Sequence, residues 1–266
     1  MNNPKISIIT ACFNSEETIA RTISSVLAQK YWNYEHIFID GGSKDKTVGI
    51  IKKMAPVAVL ISEPDRGIYD AMNKGMSIAK GDILGTLNSD DTYADEDVLG
   101  LIAKAFESKE IDYFCAKIQY LLQDTDKFSH MFGQEPICKS NIRRMTLAHP
   151  TVYINKQLWP AIGKYDINYS IAADYDWTLR LLKRKYIYYY LDKPIVEMRL
   201  GGASSNEMEN LAEVLKIKNV HFPERRIMNK YEFLLDASRK SVKHMLGKVR
   251  LDSVIKRIRK YEGKLG

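Results

Sequence analysis

The residue types best suited to chemistry are those of Asn88-Ser89-Asp90-Asp91, which follow an apolar run from Ile83 to Leu87. The run predicts a short buried strand, and ligands of open α/β sheets bind in the crevice at the carboxyl ends of the strands. Two adjacent carboxylates there repel each other unless a positive group lies nearby, and a divalent cation carrying phosphate oxygens would meet that need. A plain turn is the alternative, because Asn, Ser and Asp are common turn residues. This segment alone supports both interpretations equally.

The elements that would position this segment form a regular series. Short apolar segments at residues 6–9, 36–39, 57–61 and 83–87 are separated by stretches of helical periodicity. This alternation predicts right-handed βαβ units on a parallel sheet, so that all four strand ends face one edge. Small and polar residues follow these ends at Ala11 to Asn14, Asp40 to Ser43, Asp65 to Gly67 and Asn88 to Asp91. We expect them to converge there, with Asn14 capping the first helix.

After residue 91 the pattern changes. Aromatic, roughly alternating segments at residues 111–122 and 127–132 predict antiparallel strands, and the tyrosine-rich residues 187–191 predict one more strand, of unspecified direction. The segment Ala172-Ala173-Asp174-Tyr175-Asp176-Trp177 opens a predicted helix. A glycine- and serine-rich stretch from 201 to 205 predicts a flexible hinge. We therefore expect a main α/β domain over residues 1–205 and a helical tail over 206–266.

The positive charge of the 266-residue chain lies in this tail. Residues 221–266 contain 13 Lys and Arg against 5 Asp and Glu, whereas the rest contains 27 against 28. Apolar and basic residues interleave over 240–259, which predicts amphipathic helices lying on an anionic membrane surface. A charged helix packed on the main domain through its apolar stripe is the alternative. The start of the chain has no signal-peptide pattern, no run reaches 18 apolar residues, and the three cysteines are unpaired in spacing, so we expect a cytoplasmic protein without a spanning helix.

Two phosphate-binding motifs are missing. The sequence has no G-x-G-x-x-G after its first strand and no G-x-x-x-x-G-K-[ST], so we expect a metal to handle any phosphate. A nucleotidyltransferase is one alternative, although its expected glycine-rich loop bearing Arg and Lys is absent after the first strand. A nucleic-acid-binding protein using the basic tail is another. The near-neutral body has no recognisable binding module, and its converging acids would repel phosphates.

Five segments occur in the order T-A-C-F-N, I-D-G-G-S-K-D-K-T, E-P-D-R-G-I-Y-D-A-M-N-K-G, L-N-S-D-D and A-A-D-Y-D-W-T-L-R-L. Together they make residues 4–205 resemble the family 2 glycosyltransferases, inverting enzymes of the GT-A fold that build bacterial surface polysaccharides. The resemblance implies a mixed, mostly parallel sheet flanked by helices. It also implies a nucleotide-sugar-binding half over residues 1–91 and an acceptor-binding half over 92–205.

The resemblance also implies roles at the donor site. Phe13 matches the aromatic that stacks on the base, Asp40 the acid that binds uracil, and Arg66 and Asn73 residues that line the nucleotide pocket. The full predicted nucleotide-binding set is Ala11, Phe13, Asn14, Asp40, Ser43, Arg66, Asn73, Asn88 and Ser89. A core position for Phe13, a turn position for Asp40 and solvent positions for Arg66 and Asn73 are the alternatives.

Metal and catalytic residues follow from the same resemblance. Asp90, with Asp91 beside it, matches the metal ligand of the family's D-x-D motif, so we expect Mg²⁺ or Mn²⁺. Asn88 departs from the motif's first Asp, which predicts a weaker metal site. Asp174 matches the catalytic base, although Ala173 stands where the family usually has an acid, and a helix N-cap is the alternative.

Asp176 is a nearby competitor for the base role, and His149 matches a histidine near the acceptor site, with a structural role as its alternative. The implied reaction transfers a hexose from a UDP-sugar to a saccharide on a lipid diphosphate, in O-antigen, capsule or exopolysaccharide assembly. We expect no nucleic-acid partner and a peripheral position on the inner face of the cytoplasmic membrane.

Overall fold

The computed structural model describes residues 3–122, 127–136, 143, 147–199 and 207–240. The chain divides into two compact units, Met1–Ala203 and Ser204–Gly266. The first unit contains the sheet and every predicted site residue.

The first unit alternates strands and helices over its first half. Its elements are β1 (Ile6–Cys12), α1 (Ile19–Leu27), β2 (Tyr34–Asp40), α2 (Thr47–Met54), β3 (Val59–Ser62), α3 (Ile68–Ile78), β4 (Ile83–Thr86), β5 (Thr92–Tyr93), α4 (Val98–Ser108), β6 (Tyr113–Leu121), β7 (Phe128–Phe132), β8 (Tyr153–Asn155), α5 (Trp159–Ile162), α6 (Ala173–Leu182) and β9 (Tyr188–Arg199). Short 3₁₀ turns at His149–Thr151 and Lys156–Leu158 flank β8.

Nine strands of the described residues form one mixed sheet in the order β3-β2-β1-β4-β8-β6-β9-β5, with β7 paired to β6. β3, β2, β1 and β4 run parallel, and β8 joins β4 to β6 by antiparallel pairing. The predicted α/β class and the mostly parallel sheet of the first half are confirmed. As expected, β6 and β7 pair antiparallel.

The core lies on both faces of this sheet. Every residue of β1 is buried, because the strand is central and helices cover it on both sides. α3 approaches β1 closely at Gly75, where a β-carbon would lie 2.4 Å from Ile9 Cγ2. The helices thus hold the sheet rigid beneath the loops at its carboxyl edge.

β9 is longer than the sequence predicts. It continues from the tyrosine-rich residues through Asp192-Lys193-Pro194 to Arg199 and pairs in parallel with the whole of β6. The register shifts at Ala116 and Lys117 in β6, which accommodates the proline without a ladder bond from its nitrogen. The extension also brings Val196 and Glu197 into antiparallel pairing with β5.

The second unit is helical where it is described. α7 spans Glu207–His221, and α8 spans residues 226–240. Lys218 in α7 and Glu232 in α8 form an ion pair at 3.0 Å. No helix of the described residues is long and apolar enough to cross a membrane. Residues 241–266 lie outside the described residues, so the amphipathic helices predicted over 240–259 stay a prediction.

Candidate functional site

The loops after β1, β2 and β4 are joined to one another at the carboxyl edge of the sheet. The backbone N–H of Asn14 donates to Ser43 Oγ at 2.8 Å, and Asn14 Oδ1 accepts from the Lys44 N–H at 2.9 Å. Ser15 Oγ and Ser89 Oγ are 2.9 Å apart. These contacts bring three of the four predicted segments together, as the strand order requires.

The predicted capping role of Asn14 is wrong. α1 begins five residues later, at Ile19, and its N-cap Thr18 makes no side-chain capping bond. Asn14 instead takes a left-handed conformation with φ of 48°, which asparagine tolerates better than most residues. Its side chain therefore links two loops instead of closing a helix.

Asp40 is fully buried at the end of β2, surrounded by hydrogen-bond donors. Its Oδ2 accepts from the backbone of Gly42 and Ser43 and from Ser62 Oγ at 2.6 Å, while Oδ1 accepts from Ser43 Oγ. Burial, and then the charge of Asp40, raises the pKa of the Cys12 thiol to about 12. Asp40 thus fixes the shape of the loop, and its predicted uracil contact stays a prediction.

Phe13 is 60% exposed, although it directly follows a fully buried strand. A phenyl ring left in solvent at a sheet edge loses the free energy that burial would provide, so an exposed position suits a surface that a ligand covers. Ala11, two residues earlier, is buried in the strand, so its predicted nucleotide contact stays a prediction. The core alternative for Phe13 is excluded.

Arg66 and Asn73 lie on the third loop and on α3. The Arg66 guanidinium is exposed and lies 3.6 Å from Asp70 Oδ1, so it can turn toward an anion. Asn73, in contrast, is buried and bonds the backbone of Tyr165 twice, at 2.9 and 2.8 Å. Asn73 therefore holds the chain segment that precedes α6. Its side-chain amide is engaged in both hydrogen bonds, so contact with a nucleotide would require these bonds to rearrange.

Asn88 to Asp91 form a turn in which the two outer side chains face each other. Asn88 Nδ2 donates to Asp91 Oδ2 at 2.9 Å, and the Asp91 N–H donates to the Asn88 carbonyl at 3.2 Å. Thr22 Oγ1 donates to the Asp91 carbonyl at 2.8 Å, which anchors the turn to α1. The turn interpretation and the metal interpretation are thus compatible, because a rigid turn can hold in place the side chains that would bind a metal.

The side-chain oxygen atoms of this turn are suited to bind a divalent cation whose remaining ligands would come from phosphate. Asn88 Oδ1 is buried and has no hydrogen-bond partner, which is costly unless something binds it. Burial, and then the negative charge of Asp90, raises the pKa of the Asp91 carboxyl, as expected for an acidic pair without a counter-ion. Among the described residues no three His, Cys, Asp or Glu side chains converge as a metal site. The protein would therefore supply only part of the ligand set.

Asp174 and Asp176 occupy different environments on the first turn of α6. Asp174 is half-buried, and its Oδ1 accepts from the Tyr175 N–H at 2.8 Å and from the Tyr69 hydroxyl at 3.2 Å. The helix N-cap is Ala172, so the capping alternative for Asp174 is excluded. Asp176 is buried and accepts from Arg180 Nε at 3.0 Å.

His149 lies buried among aromatic rings. Its Nε2 is 2.8 Å from the Tyr165 hydroxyl, and Trp177 meets it edge-on with ring centroids 5.9 Å apart. Burial lowers the pKa of His149 to about 4, so the imidazole is neutral at pH 7. These contacts support the structural alternative, and the predicted acceptor contact stays a prediction.

Tyr120, which sequence reasoning missed, lies on β6. Burial, followed by the charges of Asp91 and Asp174, raises the pKa of Tyr120. Two carboxylates that are 83 residues apart in the chain thus act electrostatically on one hydroxyl of β6. Nothing in the alternating pattern of β6 distinguishes Tyr120 from its aromatic neighbours, so the sequence offers no signal for this role.

The family model of glycosyl transferase family 2 matches residues 7–159, more than half of the chain and all four parallel strands. The chain belongs to glycosyl transferase family 2. It is 35% identical over 182 residues to an uncharacterized glycosyltransferase of Mycobacterium tuberculosis, a match that covers 66% of this chain and 68% of that protein. The predicted resemblance is confirmed, and this enzyme is a glycosyltransferase.

Solved structures share its fold. Staphylococcus aureus TarS 1–349 in complex with UDP matches with a TM-score of 0.64 at 19% identity, over 82% of this chain and 65% of that one. A mannosyltransferase of Pyrobaculum calidifontis in complex with GDP-Man and Mn²⁺ matches with a TM-score of 0.64 at 15% identity, over 87% and 70%. The glycosyltransferase architecture expected from the sequence is confirmed at the level of the fold.

Proposed function

We propose that this enzyme transfers a sugar from a UDP-sugar to a hydroxyl of a saccharide acceptor, with inversion at the anomeric carbon. The observation that carries the proposal is the joined carboxyl edge of the sheet, where the exposed ring of Phe13 follows β1 and the turn of Asn88 to Asp91 follows the neighbouring strand β4. We propose that this turn holds a divalent cation and that Asp174, on the first turn of α6, reaches the same substrate. A diphosphate leaving group and an incoming hydroxyl need these two groups on opposite sides of the reacting carbon.

Asp174 is the proposed base. It accepts the proton of the acceptor hydroxyl while the new C–O bond forms and the bond to the diphosphate oxygen breaks, so an α-linked donor gives a β-linked product. Proton transfer of this kind contributes a factor of about 10² to 10⁴ in rate. Asp176 is unsuited to the role, because it is buried and paired with Arg180.

The donor nucleotide lies across the edge formed by the loops after β1, β2 and β4. Phe13 offers its exposed ring to the base, and the exposed guanidinium of Arg66 is available to a phosphate. UDP in the TarS complex supports a uridine donor, while GDP-Man in the mannosyltransferase complex keeps guanosine as the alternative.

Asn88, Asp90 and Asp91 would hold Mg²⁺ or Mn²⁺ together with the diphosphate. Oxygen ligands favour these cations, and Mn²⁺ in the mannosyltransferase complex supports a metal in this fold. The metal, when bound, neutralises charge on the departing diphosphate. Asn88 would supply an amide oxygen without charge, which predicts a weak metal affinity.

The acceptor is proposed to be a saccharide linked to a lipid diphosphate, used in bacterial surface polysaccharide assembly. A basic surface suits the anionic membrane where such an acceptor resides. Residues 221–266 carry the excess of Lys and Arg, and the exposed side chains of Ile227 and Tyr231 add apolar surface on α8. This supports a peripheral position on the cytoplasmic face of the membrane.

A thermal-shift panel of UDP- and GDP-sugars, each with and without Mn²⁺, tests the donor and the metal together. A ligand that binds only the folded state stabilises it and so raises Tm. At a ligand concentration of 100 times Kd, the stabilisation is about 2.7 kcal/mol. We expect a UDP-sugar with Mn²⁺ to stabilise the enzyme most. In Asp90→Ala the Mn²⁺-dependent part should disappear, and in Phe13→Ala the shift should shrink for every sugar of the same nucleotide. Stabilisation that is equal with and without Mn²⁺ in wild type would overturn the metal assignment.

A further inference from the structure

The hydroxyl of Tyr69 lies between two acceptors at the start of α6. It is 2.7 Å from the carbonyl oxygen of Ile171 and 3.2 Å from Oδ1 of Asp174. Tyr69 itself belongs to α3, 105 residues away along the chain. One phenol thus contacts both the proposed base and the backbone that leads into it.

Tyr69 is held rigidly in this place. It is 8% exposed, and its ring lies 5.7 Å from that of Tyr165, which Asn73 fixes through two backbone bonds. Burial, and then the charge of Asp174, raises the pKa of Tyr69. The phenol therefore keeps its proton throughout the range in which a glycosyltransferase is assayed, and it acts as a donor.

We propose that Tyr69 is a positioning residue for Asp174, whose hydroxyl fixes the orientation of the carboxylate and favours its ionised form. The inference rests on the proposed role of Asp174. A hydrogen bond to the charged form of a carboxylate stabilises that form, so it keeps the base ionised at lower pH. The same bond limits rotation of the side chain, which matters because a base must meet the acceptor hydroxyl within hydrogen-bond distance.

A purely structural role for Tyr69 makes a different prediction. If the hydroxyl only braced the Ile171 carbonyl, its removal would lower activity by the same factor at every pH. If it also acts on Asp174, its removal moves the acid limb of the pH–rate profile to higher pH. The loss is then largest at low pH and smallest on the plateau.

The test compares Tyr69→Phe with wild type. The rate of nucleoside diphosphate release is measured from about pH 3.5 to about pH 9, because the ordinary pKa of an aspartate is about 3.9, using the nucleotide sugar that gives the largest thermal shift. We expect the acid limb to move up by about half a unit to one unit, as for a hydrogen bond to a charged group that is shared with a second acceptor. Tyr31→Phe is the matched control, because the Tyr31 hydroxyl donates to the Pro4 carbonyl at the same 2.7 Å. That variant should leave the limb in place.

A second measurement needs no substrate. The side-chain carboxyl of Asp174 is followed by ¹³C NMR titration and assigned by its disappearance in Asp174→Asn. Its titration midpoint should be higher in Tyr69→Phe than in wild type and unchanged in Tyr31→Phe. An unmoved midpoint, or an equal movement in both variants, would overturn the inference. Full turnover in Asp174→Asn would instead show that Asp174 is not the base. The effect of Tyr69 on the titration of Asp174 would still be valid in that case.

Discussion

Replacing Asp174 and Asp176 one at a time by asparagine separates a proposed base from a structural carboxylate two residues away. Asparagine keeps the shape of aspartate and can still accept a hydrogen bond, so each variant removes chiefly a charge. The Asp174 side chain accepts from Tyr175 and Tyr69 at Oδ1, and an amide oxygen can accept both. We therefore expect Asp174→Asn to fold normally, with Tm within about 2 °C of wild type, and to lose turnover by at least about a hundredfold.

Asp176→Asn should do the opposite. Asp176 neutralises Arg180, whose guanidinium also donates to the carbonyls of Ile162 and Lys164 and so ties α5 to α6. Loss of a charge-assisted hydrogen bond costs about 1.5 to 3 kcal/mol, and the partial exposure of Arg180 favours the lower part of that range. About 2 kcal/mol corresponds to a decrease in Tm of roughly 4 to 8 °C in a domain of this size. Turnover per folded molecule should stay within about threefold of wild type.

The two variants are compared by differential scanning calorimetry and by nucleotide diphosphate release at a temperature where both are folded. Donor binding, measured by the thermal shift that the nucleotide sugar produces, should persist in both. Near-normal turnover in Asp174→Asn would refute its assignment as base. If Asp176→Asn lost turnover without losing stability, the base role would pass to Asp176.

Two further predictions concern the sheet. Gly85→Ala should destabilise the enzyme by about 1 to 3 kcal/mol in urea unfolding, because a β-carbon there would lie 2.2 Å from the Tyr153 ring; an unchanged urea midpoint would contradict the packing of β4 on β8. Burial would raise the pKa of Glu35, but hydrogen bonds from Ser7 and Lys5 outweigh it and hold that pKa below its ordinary value. Glu35 therefore stabilises the folded state at pH values above its unfolded pKa of about 4.3, and this stabilisation is lost as the pH falls through its folded pKa. Glu35→Gln should cost under about 1 kcal/mol of stability at pH 7 and progressively less at pH 4 and below. A stability difference that stays constant with pH would refute this linkage.

The parallel half of the fold could be predicted because its signals are local. Each of the first four strands is a short apolar run that ends in small and polar residues, and the strand–helix alternation dictates where those ends meet. The full length of β9 was harder to predict, because Asp192-Lys193-Pro194 resembles the end of a strand. Its continuation depends on a register shift in β6, a feature of the partner strand that the β9 sequence does not encode.

Side-chain partners at the site were less predictable than its location. Asn14 has the spacing of a helix cap, yet its oxygen accepts from Lys44, 30 residues away. A propensity states which bonds a residue can make locally, whereas the fold decides which donors reach it. The same reasoning applies to Asp40, whose carboxylate is surrounded by donors from its own loop and from Ser62.

Two pairs of contacts that arrange the proposed catalytic centre span about a hundred residues. Asn73 and Tyr165 are 92 positions apart, and Tyr69 and Asp174 are 105 apart. Both residues of the first half belong to α3, and they face the chain segment that leads into α6. α3 therefore joins the loop bearing Arg66 at its start to the proposed base at its side. If Arg66 binds the donor as proposed, the donor contacts the loop that leads directly into the helix carrying Tyr69, the residue proposed to position Asp174.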